Sequence, residues 1–171
     1  MRKQIIILLI AAIGLVSCKD QVQSNTASTS TYYLIRHAEK DRSDASNKNP
    51  DLNEKGLKRA QHWADYFKSI PFDAIYTTAY KRTEQTAQPT AEAKKLAVQY
   101  YNPSDLEINK FISKTQGKTV LIVGHSNTTP KFVNALLGEE KYEAIADDNN
   151  ANLYIVTRSE DQKKSELLVV D

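Results

Sequence analysis

The feature that most constrains the fold is an alternation of short apolar runs with longer helical segments along residues 32–137. Short apolar runs bounded by turn residues are typical of buried strands. Strands that alternate with helices predict βαβ units, and hence a mostly parallel sheet with helices on both faces. The predicted strands are residues 32–35, 73–77, 98–101, 119–123, 152–158 and 165–170, and the last two form a hairpin. The predicted helices are 53–69 with Asn53 as N-cap, 81–95, 105–115 and 129–137. The buried stripe expected of the first helix consists of Leu57, Ala60, Trp63, Ala64 and Phe67. We therefore expect a three-layer α/β/α domain with a mostly parallel six-stranded sheet.

The first seventeen residues have the pattern of an export signal. Arg2 and Lys3 precede an apolar run that ends at Val16, which is shorter than the roughly 20 residues that span a bilayer as a helix. Cys18 is the only cysteine and follows Leu15-Val16-Ser17, a segment that resembles a bacterial lipoprotein box. That resemblance implies acylation of Cys18, and two or more acyl chains give stable anchoring. The alternative is a plain signal peptide or a short N-terminal anchor.

On this interpretation residues 1–17 are a signal peptide, residues 18–31 are the lipidated cysteine and a flexible tether, and residues 32–171 are the folded domain. The protein would be exported and held at the membrane through Cys18, on the periplasmic side or at the cell surface. Removal of Arg2 and Lys3 from the 23 basic residues leaves 21, against 21 acidic residues. This balance gives no support to a nucleic-acid partner.

Three of the predicted strands end in basic or imidazole side chains. Arg36 and His37 follow the first strand, Arg82 starts the helix after the second, and His125 follows the fourth. Ligands in such sheets bind beyond the carboxyl ends of the strands, so these side chains should lie close together. Arginine forks match phosphate oxygens, whereas two His and two Arg without nearby cysteines do not suit zinc. The pattern favours a phosphoryl group and no metal.

Four segments resemble motifs of the histidine phosphatase superfamily, which has the phosphoglycerate-mutase-like fold. They occur in the family's order and extend over most of the predicted domain, so together they are specific. Ala38 stands where the family has glycine. The absence of a large insertion resembles the small single-domain branch that includes phosphohistidine phosphatases. The segments are Leu34-Ile35-Arg36-His37-Ala38-Glu39, Asp51-Leu52-Asn53-Glu54-Lys55-Gly56, Arg82-Thr83-Glu84-Gln85-Thr86-Ala87 and Val123-Gly124-His125-Ser126.

The resemblance implies a role for each of the four pocket residues. His37 would be the nucleophile and form a phosphohistidine that water hydrolyses. Arg36 and Arg82 would bind phosphate oxygens, and His125 would donate a hydrogen bond to the phosphoryl group. No cofactor is implied. The neighbouring arginine charges disfavour the imidazolium form of His37, which keeps it nucleophilic.

No motif identifies the proton donor to the leaving oxygen. Asp105 follows the third strand, the region from which many members of the family supply their acid, and Glu39 adjoins the nucleophile. For both carboxylates an ordinary surface charge or a helix N-cap is an equal alternative. His62 lies within a helix beside Trp63 and has no predicted role.

The sequence thus predicts a metal-independent phosphatase that acts on phosphomonoesters or phosphohistidine. Its substrate would be a small phosphorylated molecule or a phosphoprotein, and export favours sugars, nucleotides or envelope glycolipids. The alternative is a lipoprotein that keeps the pocket, binds phosphorylated ligands and has no turnover.

Overall fold

The computed structural model describes residues 28–171, so the signal-like segment and Cys18 lie outside the described residues. The strands are β1 (Ser30–Arg36), β2 (Ala74–Thr77), β3 (Val98–Tyr100), β4 (Thr119–Gly124), β5 (Asn152–Arg158) and β6 (Lys163–Val169). The helices are α1 (Glu54–Tyr66), α2 (Lys81–Lys94), α3 (Ile108–Lys114) and α4 (Thr128–Leu137), and a 3-10 turn over Phe67–Ser69 continues α1.

The strands form one six-stranded sheet in the order β3-β2-β4-β1-β5-β6. β4 pairs in parallel with β1 and β2, β2 pairs in parallel with β3, and β5 is antiparallel to β1 and β6. The predicted fold class is confirmed. Arg36 is opposite Gly124 and Thr77 is opposite Val123, so three neighbouring strands deliver their carboxyl ends to one edge.

The core has two layers because successive residues of each strand point to opposite faces. Val120 and Ile122 of β4 belong to the cluster that includes Phe132 of α4. Leu121 and Val123 belong to the other cluster, which includes Trp63 of α1. The buried strands are apolar on both faces, as expected of a sheet covered on both sides.

Three local predictions differ from the structure. β1 begins at Ser30, whose hydroxyl donates to the carbonyl of Thr115 at 3.2 Å and accepts from the N–H of Gly117 at 2.9 Å. α3 begins at Ile108 rather than Asp105, because residues 102–107 are held in a turn by Asn102. Leu57 was expected in the buried stripe of α1 but is 53% exposed.

Leu57 is exposed because the preceding residue, Gly56, makes the contact with the rest of the domain. The buried Gly56 packs directly against the backbone of Glu39, so this end of α1 makes its contact through the glycine. Asn53 caps the helix as predicted, with its side-chain oxygen accepting from the N–H of Gly56 at 2.9 Å. Within residues 28–171, no helix is both long and apolar enough to cross a membrane.

Candidate active site

His37 follows β1 directly, and its imidazole is held in one tautomer. Nδ1 lies 2.7 Å from the carbonyl oxygen of Ala38. A carbonyl can only accept, so Nδ1 carries the proton and Nε2 keeps its lone pair. The backbone is also fixed: the N–H of His37 donates to Gly124, and its carbonyl accepts from the side chain of Asn150 at 2.7 Å.

The environment of His37 keeps it neutral. Burial is the main cause that lowers the pKa of His37 to about 3. The hydrogen bond to Ala38 opposes this shift, whereas the charges of Arg36, His125 and Arg82 add to it. A neutral imidazole with a free nitrogen is the form that can attack an electrophile.

Arg36 is held at the end of β1 by a loop that precedes β5. Nη1 donates to the carbonyls of Ala146, Asp147 and Asn149 at 2.8, 3.0 and 2.9 Å. Nη2 donates to the carboxylate of Asp147 at 2.9 Å. The remaining donor, Nε, is buried and makes no hydrogen bond to any residue in 28–171. The loop therefore fixes one side of the guanidinium and leaves Nε for another acceptor.

Arg82 and His125 lie together across the rim. Nη2 of Arg82 is 3.4 Å from Nδ1 of His125. Because arginine only donates, Nδ1 accepts, and Nε2 donates to the hydroxyl of Thr78 at 2.8 Å. Arg82 also lies over the ring of Tyr80, 4.5 Å from its centroid. Its Nε and Nη1 are buried without a partner among the described residues.

The two histidines face each other, with ring centroids 5.5 Å apart. Burial lowers the pKa of His125 to about 4, and the charges of Arg82, Arg36 and Lys40 add to the shift. In its neutral form His125 therefore presents an acceptor toward Arg82. Donation from Nδ1 to a phosphoryl oxygen requires a further proton, which a nearby dianion would favour.

The residues of the third motif connect the other motifs. Gln85 accepts from the N–H of Leu52 at 2.7 Å and donates to Asp51 at 2.9 Å. Thr86 accepts from the N–H of Ala38 at 2.9 Å and donates to the carbonyl of Arg82 at 2.7 Å. One turn of α2 thus positions Arg82 and fixes the segment after His37.

Ala38 fits where the family has glycine. It is fully buried and packs with Leu52 and Ala60 in a small apolar cluster. Its backbone is not in the left-handed region, since Lys95 is the one non-glycine residue in the described chain with positive φ. The methyl group therefore fills a core position and introduces no backbone strain.

The four predicted pocket residues line one cavity of about 350 Å³, which we call the first cavity. A second cavity of about 440 Å³ adjoins it and is lined by residues that include Glu39, Arg42, Asp148 and Asn150. His37, Lys40 and Asp147 line both. The structure therefore brings Arg36, His37, Arg82 and His125 together in one cleft.

Glu39 lies in the second cavity, but other side chains engage its carboxylate. Both oxygens accept from Nε of Arg59 at 3.0 Å, and Lys55 lies 3.2 Å away. Burial alone would raise the pKa of Glu39, but hydrogen bonds from its own backbone and from Arg59 lower it below the ordinary value. A carboxylate held in this way is a poor proton donor.

Asp105 does not share the cleft with His37, contrary to the expectation from its place after β3. It lines a separate cavity of about 210 Å³ with Tyr100, Tyr101 and Phe111. The turn over residues 102–107 directs this segment toward α3. His62 is exposed on α1.

Sequence reasoning missed Lys40, Thr78 and Asp147. Asp147 precedes β5, and because β5 is antiparallel to β1, the chain enters β5 at the edge where β1 ends. An assignment of β5 as the neighbour of β1 would have placed this loop at the site. No group of three or more His, Cys, Asp or Glu side chains suited to a metal occurs within residues 28–171.

Comparison with known proteins agrees with this geometry. A family model described as the histidine phosphatase superfamily (branch 1) matches residues 32–102, a range that contains the first three motifs. The search of curated proteins gives no match. Sequence and fold together support this superfamily.

Solved structures share the fold of this chain over most of its length. A phosphoglycerate mutase from Bacillus anthracis is 15% identical with a TM-score of 0.65, and the alignment covers 83% of this chain and 93% of that one. A structure from Agrobacterium tumefaciens assigned as the phosphohistidine phosphatase SixA is 21% identical with a TM-score of 0.60, covering 81% and 97%. The protein histidine phosphatase SixA in complex with tungstate is 14% identical with a TM-score of 0.65, covering 81% and 96%. At these identities the likeness shows the fold.

Proposed function

We propose that this protein is a metal-independent phosphatase that forms a phosphohistidine on His37. One observation carries the proposal: the free Nε2 of His37 shares a cavity with three buried guanidinium donors that have no partner in residues 28–171. These donors are Nε of Arg36 and both Nε and Nη1 of Arg82. Buried charged donors are nearly always paired, so these groups suit an anionic ligand. A phosphoryl group offers oxygens to both guanidinium groups while its phosphorus faces Nε2.

The reaction has two steps. In the first, the Nε2 lone pair of His37 forms a bond to phosphorus while the bond from phosphorus to the leaving oxygen breaks, and that oxygen takes the electron pair and a proton. In the second, water attacks the phosphorus, the N–P bond breaks, and inorganic phosphate leaves. Arg36, Arg82 and a protonated His125 stabilise the charge on the phosphoryl oxygens in both transition states. Nδ1 remains bonded to Ala38 throughout.

The substrate class follows from the expected export of the chain. A phosphomonoester or phosphohistidine outside the cytoplasm would reach the cleft, and Cys18 would hold the protein at the membrane. The polar second cavity is the part of the cleft beside the nucleophile that a leaving group would enter.

The alternative is a lipoprotein that binds phosphorylated ligands without turnover. The placement of the predicted acids favours it, since Glu39 is engaged by Arg59 and Asp105 lies outside the cleft. The two proposals differ in one measurable quantity, which is turnover by the unaltered protein.

The test measures hydrolysis of an aryl phosphate by the full chain, its His37→Ala variant and the matched control His62→Ala. We expect hydrolysis and an acid-labile phosphoenzyme from the unaltered protein and from the control. His37→Ala should lose both while its circular dichroism is unchanged. Phosphate binding without hydrolysis by the unaltered protein would favour the binding lipoprotein. Phosphate trapped on His37→Ala by rapid quench would reject His37 as the nucleophile.

A further inference from the structure

We infer that Lys40 is the proton donor to the leaving oxygen, placed where the first and second cavities meet. This inference rests on the proposed function. It deepens that proposal, because it assigns the proton donor. A proton donor allows the hydrolysis of esters with poor leaving groups, such as the alkoxides of sugar or glycerol phosphates.

The position of Lys40 carries the inference. Arg36 and Arg82 line only the first cavity and Arg42 lines only the second, whereas Lys40 lines both together with His37 and Asp147. Arg36 and Arg82 of the first cavity would bind the phosphoryl group. The bond from phosphorus to the leaving group would then extend toward the second cavity. Lys40 is the cation at that boundary.

The backbone of Lys40 is held firmly while its side chain is not. Lys40 pairs with Leu52 in an isolated antiparallel bridge, and its carbonyl accepts from the side chain of Asn53 at 3.3 Å. The side chain is half-buried. Its ammonium has no ion pair or hydrogen bond to any residue that the structure describes. It is therefore free to contact a substrate oxygen.

Two carboxylates of the cleft, those of Glu39 and Asp147, are poorly suited to give up a proton. Glu39 is engaged by Arg59 and Lys55. Asp147 contacts Arg36 and Arg42 at 2.9 Å each, and hydrogen bonds from Arg42 and Arg36 lower its pKa to about 2. A carboxylic acid this strong remains ionised at neutral pH. Asp148 lines only the second cavity.

The charges around Lys40 favour release of its proton. Burial lowers the pKa of Lys40, and the positive charges of Arg42, Arg82 and Arg36 add to this, while Asp147 opposes it. A lysine whose pKa is lowered is a better acid than one with an ordinary pKa. The bound phosphoryl group attracts the ammonium to the site of reaction.

The proton balance closes over the two steps. When the bond from phosphorus to the leaving oxygen breaks, the proton moves from Nζ of Lys40 to that oxygen, and Lys40 is left as a neutral amine. When water attacks the phosphohistidine, the amine takes a proton from that water. Lys40 thus returns to its ammonium form as phosphate is released.

The test compares kcat/KM of the full chain and of Lys40→Gln and Lys40→Arg on two substrates, 4-nitrophenyl phosphate and glycerol phosphate. kcat/KM reports the steps up to release of the leaving group, where the donor acts. Nitrophenolate leaves without help, whereas a glycerol alkoxide needs a proton. Lys118→Gln is the matched control, because Lys118 is exposed and precedes β4 at the opposite edge of the sheet.

We expect the kcat/KM of both Lys40 variants on glycerol phosphate to fall by about 10²-fold or more. On 4-nitrophenyl phosphate the loss in kcat/KM should be smaller by a factor of about ten or more. Arginine keeps the charge but cannot donate a proton, so Lys40→Arg should not restore the alkyl substrate. Equal losses of kcat/KM on both substrates, or restored activity in Lys40→Arg, would overturn the inference about Lys40 and leave the proposed function standing. An unaltered protein that is inactive on both substrates would overturn the proposed function and the inference with it.

Discussion

His37 is kept in its neutral form by burial and by a hydrogen-bond acceptor that carries no charge. A carbonyl, that of Ala38, orients the ring at 2.7 Å, where many catalytic histidines are oriented by a carboxylate. A carboxylate would stabilise the imidazolium, but a carbonyl fixes the tautomer with little added negative charge. The guanidinium groups can therefore stand beside a histidine that remains neutral.

The two histidines of the cleft should make the stability of the domain depend on pH. Their pKa values are lowered to about 3 for His37 and about 4 for His125, whereas a histidine in the unfolded chain titrates near 6.5. Below pH 6.5 the unfolded chain binds more protons than the folded one, so the free energy of unfolding falls as the pH falls. It should be constant above about pH 7 and decline by at most about 1.4 kcal/mol per histidine per pH unit down to about pH 4. Urea denaturation at several pH values measures this.

His37→Ala is the control for that pH dependence. It removes one of the two groups, so its unfolding free energy should decline less steeply between pH 6.5 and pH 4. His62→Ala is the matched control, because it also removes one histidine but at an exposed position of α1 outside the cleft. Equal slopes for all three proteins would show that the histidines of the cleft do not cause the loss.

Arg36, His37, Arg82 and His125 could be predicted from the sequence because each belongs to a motif beside a predicted strand end. Lys40 and Asp147 could not, because their place depends on contacts between distant segments. Asp147 reaches Arg36 across 111 positions of the chain. No local pattern encodes such a contact.

The helices position the site through a few backbone contacts. α2 does so with Gln85 and Thr86, and α1 does so with Gly56. A Cβ added to Gly56 would lie 2.0 Å from the carbonyl oxygen of Glu39 and 2.9 Å from its carbonyl carbon. The glycine of this motif therefore allows close packing of a helix against the segment that follows His37.

Gly56→Ala should consequently destabilise the domain, although alanine is the better helix former. The clash is with backbone, which cannot rotate away, so we expect a loss of about 3 kcal/mol or more, at or above the usual cost of overpacking. Urea denaturation measures the loss, and kcat/KM should fall as well because Glu39 lies two residues from His37. Gln61→Ala, at an exposed position of the same helix, should change stability by less than about 0.5 kcal/mol. A Gly56→Ala protein as stable as the unaltered one would show that α1 can move away without cost.

Elements were predictable where a local signal defines them. Asn53 caps α1, and apolar runs mark β1, β2 and β4. The start of α3 and the exposure of Leu57 were not predictable, since a turn at Asn102 and the contact of Gly56 decide them. The position of β5 beside β1 could not be predicted from a local sequence pattern either, because the order of strands depends on the whole sheet.

At the scale of the whole molecule, the cleft and the start of the described chain lie at opposite edges of the sheet. The chain enters β1 at Ser30 and reaches the cleft at Arg36, and a strand of this length separates the two by about 20 Å. The described chain therefore begins at the edge of the sheet away from His37. If Cys18 carries an anchor, the chain that follows it would enter the domain at this edge rather than at the cleft.

We expect this separation to make membrane attachment and catalysis independent of each other, and Cys18→Ser tests that expectation. If Cys18 carries the lipid, the variant should lose membrane attachment and the cleavage that depends on acylation, yet keep the kcat/KM of the unaltered protein on an aryl phosphate. His37→Ala provides the opposite control, because it should remain with the membrane and lose activity. Membrane fractionation and mass spectrometry of the mature N-terminus measure the attachment. An unmodified Cys18 in the unaltered protein would refute the lipoprotein interpretation, whereas a Cys18→Ser protein with lost activity would show that the anchor contributes to the site.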